Sequence, residues 1–120
     1  MCKTWFLDFD GTLVYHKSHL GDEDIILPKT QFFFDSIVGS DDIVVITTAR
    51  TKEDYGDRVE KFMAKHNFKY HAIVYGVSTG PRILVNDLKS DGSKRAYAIN
   101  VTRDGDDMAD TVKMHPHWFS

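Results

Sequence analysis

The sequence predicts an α/β fold with a mostly parallel sheet in a single domain. Three observations carry that expectation. Apolar, β-branched or aromatic runs of four or five residues alternate with stretches that show helical spacing, which is the pattern of strands joined by crossover helices. The runs are apolar throughout instead of alternating, as strands covered on both faces tend to be. At 120 residues with 42% hydrophobic and 28% charged side chains, the chain has the length and composition of one ordinary globular domain. A chain of this size buries about two-thirds of its unfolded surface, enough for one core.

Composition also limits function. The net charge of −3 gives no broad basic field to draw the chain to nucleic acid or to an anionic membrane. No apolar run is long enough to span a bilayer, and the N-terminal residues lead into a strand without a signal-type apolar region. Cys2 is the single cysteine, so no intrachain disulfide can form, and a reducing, cytoplasmic setting is expected.

Lys3 to Leu7 is the first predicted strand. It runs into Asp8-Phe9-Asp10-Gly11-Thr12-Leu13-Val14. Side chains on a strand alternate with period 2, so Asp8 and Asp10 would share a face. Two carboxylates held together repel, unless a cation lies between them or one keeps a proton. Gly11 lets the chain turn just past the strand. In open α/β sheets ligands bind at that carboxyl end. Residues 15–27 then read as a flap leaving the site, with His16 and His19 as exposed polar residues on it that could touch substrate.

Pro28 suits a helix start, Phe32, Phe33, Phe34, Ile37 and Val38 supply its apolar face, and Gly39 its stop. Ile43 to Ile46 is the second strand, ending in Thr47-Thr48-Ala49-Arg50. A strand that ends in a hydroxyl and leads into a helix can offer the hydroxyl and free N–H groups to a phosphate. Thr51 to Asp54 reads as a helix start, and Tyr55, Val59, Phe62 and Met63 share one face of a single continuing helix that ends near His66. Ala72 to Tyr75 is a third strand, Arg82 to Val85 a fourth, and Tyr97 to Val101 a fifth at the edge. Asp87 follows the fourth strand. If that strand lies beside the first, Asp87 reaches Asp8 and Asp10, and three such oxygen ligands suit Mg²⁺. Residues 102–120 form a C-terminal extension: an acidic turn, a short helix from Asp106 to Met114, and a tail with His115 and His117 around Pro116.

The string from Trp5 to Val14 resembles motif one of the haloacid dehalogenase (HAD) superfamily of phosphotransferases. The strand ending at Thr47-Thr48 resembles motif two, with Thr48 favoured over Thr47 by the Thr-Ala-Arg form. Asn86-Asp87 with Asp91 resembles motif four, although Asn86 stands where the family usually has Asp or Gly. The basic residue of motif three is not plain; Arg82 is the candidate, with Lys89 and Lys94 behind it, and an Arg fork can hold a phosphate.

The resemblance implies a three-layer, Rossmann-like core of about five strands, with the first strand central and the Asp87 strand beside it. It implies Mg²⁺ held by Asp8, Asp10 and Asp87. It implies a phosphomonoester hydrolase in which Asp8 is the nucleophile, Asp10 the general acid and base, and Thr48 and Arg82 hold the phosphoryl group. The gaps 14–43 and 50–82 are too short for a cap domain, so the site is expected to be open, on a large substrate or in a homo-oligomer whose copies cover one another. The substrate class stays open between a sugar phosphate, a nucleotide and a macromolecular end. Two alternatives remain, a polynucleotide 3′-phosphatase and a non-catalytic metal-binding scaffold.

Overall fold

The computed structural model describes residues 2–114, which leaves His115, His117 and the rest of the expected tail outside the described residues. The chain is a mixed α/β fold on a small parallel sheet. Strand β1 (Thr4–Asp8) pairs in parallel with β2 (Ile43–Thr47), which pairs in parallel with β3 (Ala72–Val74), so the order is β1-β2-β3. Trp5 lies beside Val44 and Leu7 beside Ile46. Among the described residues no helix is long and apolar enough to cross a membrane.

The first crossover carries α1 (Thr30–Phe32), which continues into one wide π-helical turn (Phe33–Ile37). Its start is fixed by Thr30, whose buried hydroxyl donates to the Leu13 carbonyl at 2.8 Å. The second crossover carries α2 (Lys52–Tyr55) and α3 (Arg58–Lys65). The single helix expected from Thr51 is thus two. Thr51 caps the first, as its residue type predicts, by accepting from the Asp54 N–H. Gly56 then takes a φ of +62°, which no helix continues through. A last helix, α4 (Met108–Lys113), packs against α1.

One face of the sheet is the core. Leu7, Phe9, Val44 and Ile46 are buried there, with Phe33 and Ile37 from the first crossover, Val59, Phe62 and Met63 from α3, and Met108, Ala109 and Val112 from α4. Phe33 meets Trp5 edge to face at 5.3 Å, and Phe62 meets Phe9 likewise at 5.3 Å. Of the three consecutive phenylalanines, Phe33 is interior and Phe34 stacks on Phe68 at 4.3 Å. Phe32 turns outward under the Lys113 ammonium.

Two expectations are corrected. The sheet has three strands among the described residues, not five, and β1 is at its edge, not its centre. Residues 82–85 and 97–101 are not strands, and Ile83 and Val85 are 85% and 91% exposed. The three-layer arrangement is reduced accordingly. Both crossovers step the same way along the sheet, and right-handed connections that step the same way put their helices on the same face. The opposite face keeps Phe6 at 61% and Ile43 at 39% exposure.

Candidate active site

Asp8 ends β1, and Asp10 follows it just before the turn that Gly11 makes with a φ of +82°. Leu13 and Val14 amides donate back to the Phe9 carbonyl at 2.9 and 3.3 Å, which folds residues 9–14 into a tight knot. The alternation of β1 sends Leu7 and Phe9 into the core and leaves the two acids at the sheet's carboxyl edge. There they border a cavity of about 400 Å³, together with His16, His19, Ala49, Arg50, Tyr55, Thr79, Arg82 and Arg103.

The two acids have different surroundings. Asp8 is half-buried. It accepts a hydrogen bond from the Thr12 hydroxyl at 3.3 Å, and Arg82 stands 3.7 Å away. Burial raises its carboxyl above the usual range; the nearby Asp10 adds to the rise, while Arg82 and Thr12 only partly offset it. Asp10 is fully engaged. One oxygen accepts from Arg50 Nε at 3.0 Å and Nη2 at 2.8 Å, and the other accepts from the Thr48 hydroxyl at 3.0 Å.

Arg50 is the residue that reading the sequence missed. It is 5% exposed. Its guanidinium bridges Asp10 to Asp24 of the flap, reaching Asp24 oxygens at 2.6 and 3.1 Å. It also lies over the rings of Phe9 and Tyr55 at 5.0 and 5.4 Å. Burial works against both charges. The paired hydrogen bonds outweigh it, holding Asp24 below and Arg50 above their ordinary values. The signal was faint, because buried arginines are rare. Arg50 is nonetheless the base that follows most closely on the β2 strand end, at the edge that holds Asp10.

The flap is tied down more firmly than an exposed loop. Tyr15 N–H donates to the Ile25 carbonyl and Leu27 N–H to the Leu13 carbonyl, closing a short antiparallel pairing. Arg58 donates to the carbonyls of Ser18, His19 and Gly21 across the turn Ser18–Leu20. His16 is not a free flap residue. Its amide donates to Asp104 at 2.7 Å, and its ring Nδ1 pairs with the other Asp104 oxygen. Asp104 sits in left-handed backbone at φ +56°, and its N–H donates to the Gly11 carbonyl at 2.9 Å. Partial burial disfavours its charge, but the His16 contacts outweigh that and hold the carboxyl low.

The remaining predicted site residues divide. Thr48 is fully buried and does not line the cavity; its hydroxyl serves Asp10 and accepts from the Arg50 N–H at 3.1 Å. Thr47 is the last residue of β2. Arg82 reaches the cavity, whereas Asn86, Asp87, Lys89, Asp91 and Lys94 lie on an exposed stretch away from it. Asp87 faces Arg95 at 3.7 Å, and Asp91 is held by the Ser93 hydroxyl. Among the described residues no group of three or more His, Cys, Asp or Glu is placed to hold a metal, so the residues as arranged do not form the expected three-acid site for Mg²⁺. The arrangement offers instead one half-buried carboxylate beside an arginine, a second carboxylate locked in orientation, and a cationic rim. No family model matches the chain, and no curated protein or solved structure matches it either.

Proposed function

We propose that this protein is a phosphomonoester hydrolase acting through an aspartyl-phosphate on Asp8. The observation that carries the reading is the placing of Asp8: a carboxylate at the carboxyl end of a parallel strand, facing a small-molecule-sized cavity, with Arg82 at 3.7 Å. The HAD-like motif strings around Asp8, Thr48 and Asp87 support the same chemistry.

Phosphoryl transfer asks mainly for position and charge neutralisation. An Asp8 oxygen attacks phosphorus, and the bond to the ester oxygen breaks as the acyl phosphate forms. The departing oxygen takes a proton from Asp10. Water then attacks phosphorus, giving its proton to Asp10, and phosphate leaves with the Asp8 carboxylate restored. Arg82 offsets charge on the transferring group. Thr48 and Arg50 set the aim of Asp10. Both Asp10 oxygens already accept hydrogen bonds, so the proton-transfer role needs one contact to give way. The Thr48 hydroxyl, free to rotate, is the one that can. The motif strings imply Mg²⁺ as cofactor, but Asp87 stands away from Asp8 and Asp10, and no step is routed through a metal.

Hydrolysis of para-nitrophenyl phosphate, with and without Mg²⁺, tests the reading on the wild type and Asp8→Asn. Turnover that falls at least about a thousandfold in Asp8→Asn is the expected result. A folded wild type without turnover in either condition overturns it. Such a null result together with Mg²⁺ binding would support the second reading, a non-catalytic metal-binding scaffold.

A further inference from the structure

Of the three arginines that line the cavity, two are engaged with carboxylates of the site. Arg50 is spent on Asp10 and Asp24, and Arg82 stands against Asp8. Among the described residues the Arg103 guanidinium makes no hydrogen bond or salt bridge; its charge acts on neighbouring Asp104 without contact, and Arg103 lines the same cavity. It is held there by its backbone neighbours. Asp104 anchors the turn to the Gly11 carbonyl and to His16 on both sides. The Arg103 stem lies flat on the turn at Gly11, with Cγ 3.1 Å from where a β-carbon on that glycine would be. His19 adds a second imidazole, its Nδ1 set 2.8 Å from the His16 carbonyl and its ring edge-on to Tyr55. A volume of about 400 Å³ is in the range for a small metabolite, more than one phosphoryl group needs.

We infer that Arg103, with His16 and His19, forms a second anion subsite, so that the substrate is a small phosphomonoester carrying another carboxylate or phosphate. This rests on the hydrolase reading only for placing the phosphoryl group at Asp8. The guanidinium fork suits either oxyanion. Asp8 and Asp10 would repel a second anion bound beside them. Arg103, on the turn from the far end of the chain, gives that anion a positive partner of its own. Asp104 is a positioning residue, since it touches His16 and the Gly11 turn and does not line the cavity.

Binding tests this without turnover. Calorimetric titration of the intact chain in Mg²⁺ compares methylphosphonate with phosphonoacetate, which adds a carboxylate, and with methylenediphosphonate, which adds a second phosphonate. At least one of the two-anion ligands should bind tenfold or more tighter than methylphosphonate, and the tighter one names the second group. Arg103→Gln should cut that preference to under threefold, and Arg103→Lys should retain part of it. His19→Asn serves as the second variant, with thermal melting to show that each is folded. Equal affinities in the wild type, no binding of any ligand, or a preference unmoved by both Arg103→Gln and His19→Asn overturns the inference. A preference kept without para-nitrophenyl phosphate turnover would sink the hydrolase and leave the subsite. Turnover without preference would do the reverse.

Discussion

Arg50 sits between two carboxylates from different parts of the chain, and its removal would leave Asp10 with only the Thr48 hydroxyl and Asp24 with only Arg58 and the Ser18 hydroxyl. Taking one member out of a buried ion network typically costs about 3–5 kcal/mol, because the stranded charges lose more than the pair had gained. Arg50→Met should therefore lower stability in urea by that order and release the flap at Asp24, seen as faster amide exchange over residues 15–24. Asp42 is a second buried acid. It accepts from the Lys3 amide, the Trp5 indole and the Gly39 amide at 2.9, 2.9 and 2.7 Å, stapling the start of β1 to the turn before β2. Burial disfavours its charge, but those donors outweigh it, as the arginines do for Asp24, and both carboxyls titrate below their ordinary value. A lowered folded value means that stability is fully present above the unfolded pKa of about 3.9 and is lost as pH falls through and below it. Acid unfolding should begin near pH 4, and Asp42→Asn should flatten it. Asp8 has the opposite sign. Its raised value means that the ionised form opposes folding, so Asp8→Asn should raise the melting temperature near neutral pH while abolishing turnover. The pair Asp8 and Asp10 at the end of β1 was legible in the sequence because a period of 2 is strict. Arg50 was not, since nothing local tells a buried arginine from a solvated one.

At the scale of elements, the strands β1, β2 and β3 and the helix face of Val59, Phe62 and Met63 were legible because each is a local pattern with a strong apolar signal. The join between α2 and α3 was not, as it depends on one backbone angle at Gly56. Phe62 touches Phe9, His66 and Phe68 while 4% exposed, so it links α3 to the strand that carries the acids. Phe62→Ala should cost about 3–5 kcal/mol by denaturant unfolding, the usual range for a buried aromatic. Its effect should also reach the site, because Phe9 lies between Asp8 and Asp10.

For the whole molecule, the open question of order is the edge of β1. The stretch 82–85 has strand composition but lies unpaired and exposed, and β1 has no neighbour on its outer side among the described residues. Local propensity announces a strand. Only long-range pairing makes one, and nothing within four residues specifies the partner. Charge substitution reads the difference. Val85→Lys should change stability by no more than about 0.5 kcal/mol with the residue exposed as it is here. A loss well beyond that would mean that the stretch joins a sheet. An exposed apolar run is also a template for self-association, which the same lysine would suppress.

The contact between His16 and Asp104 spans 88 residues. Its formation closes a loop over most of the chain, and such closures carry an entropic cost that local turns and neighbouring strands do not. During synthesis Asp8 and Asp10 emerge well before the turn bearing Arg103. A nascent chain can thus pair β1 with β2 and β3 long before its cavity has a complete wall. Binding selectivity would be acquired after the sheet has formed, when that long loop closes.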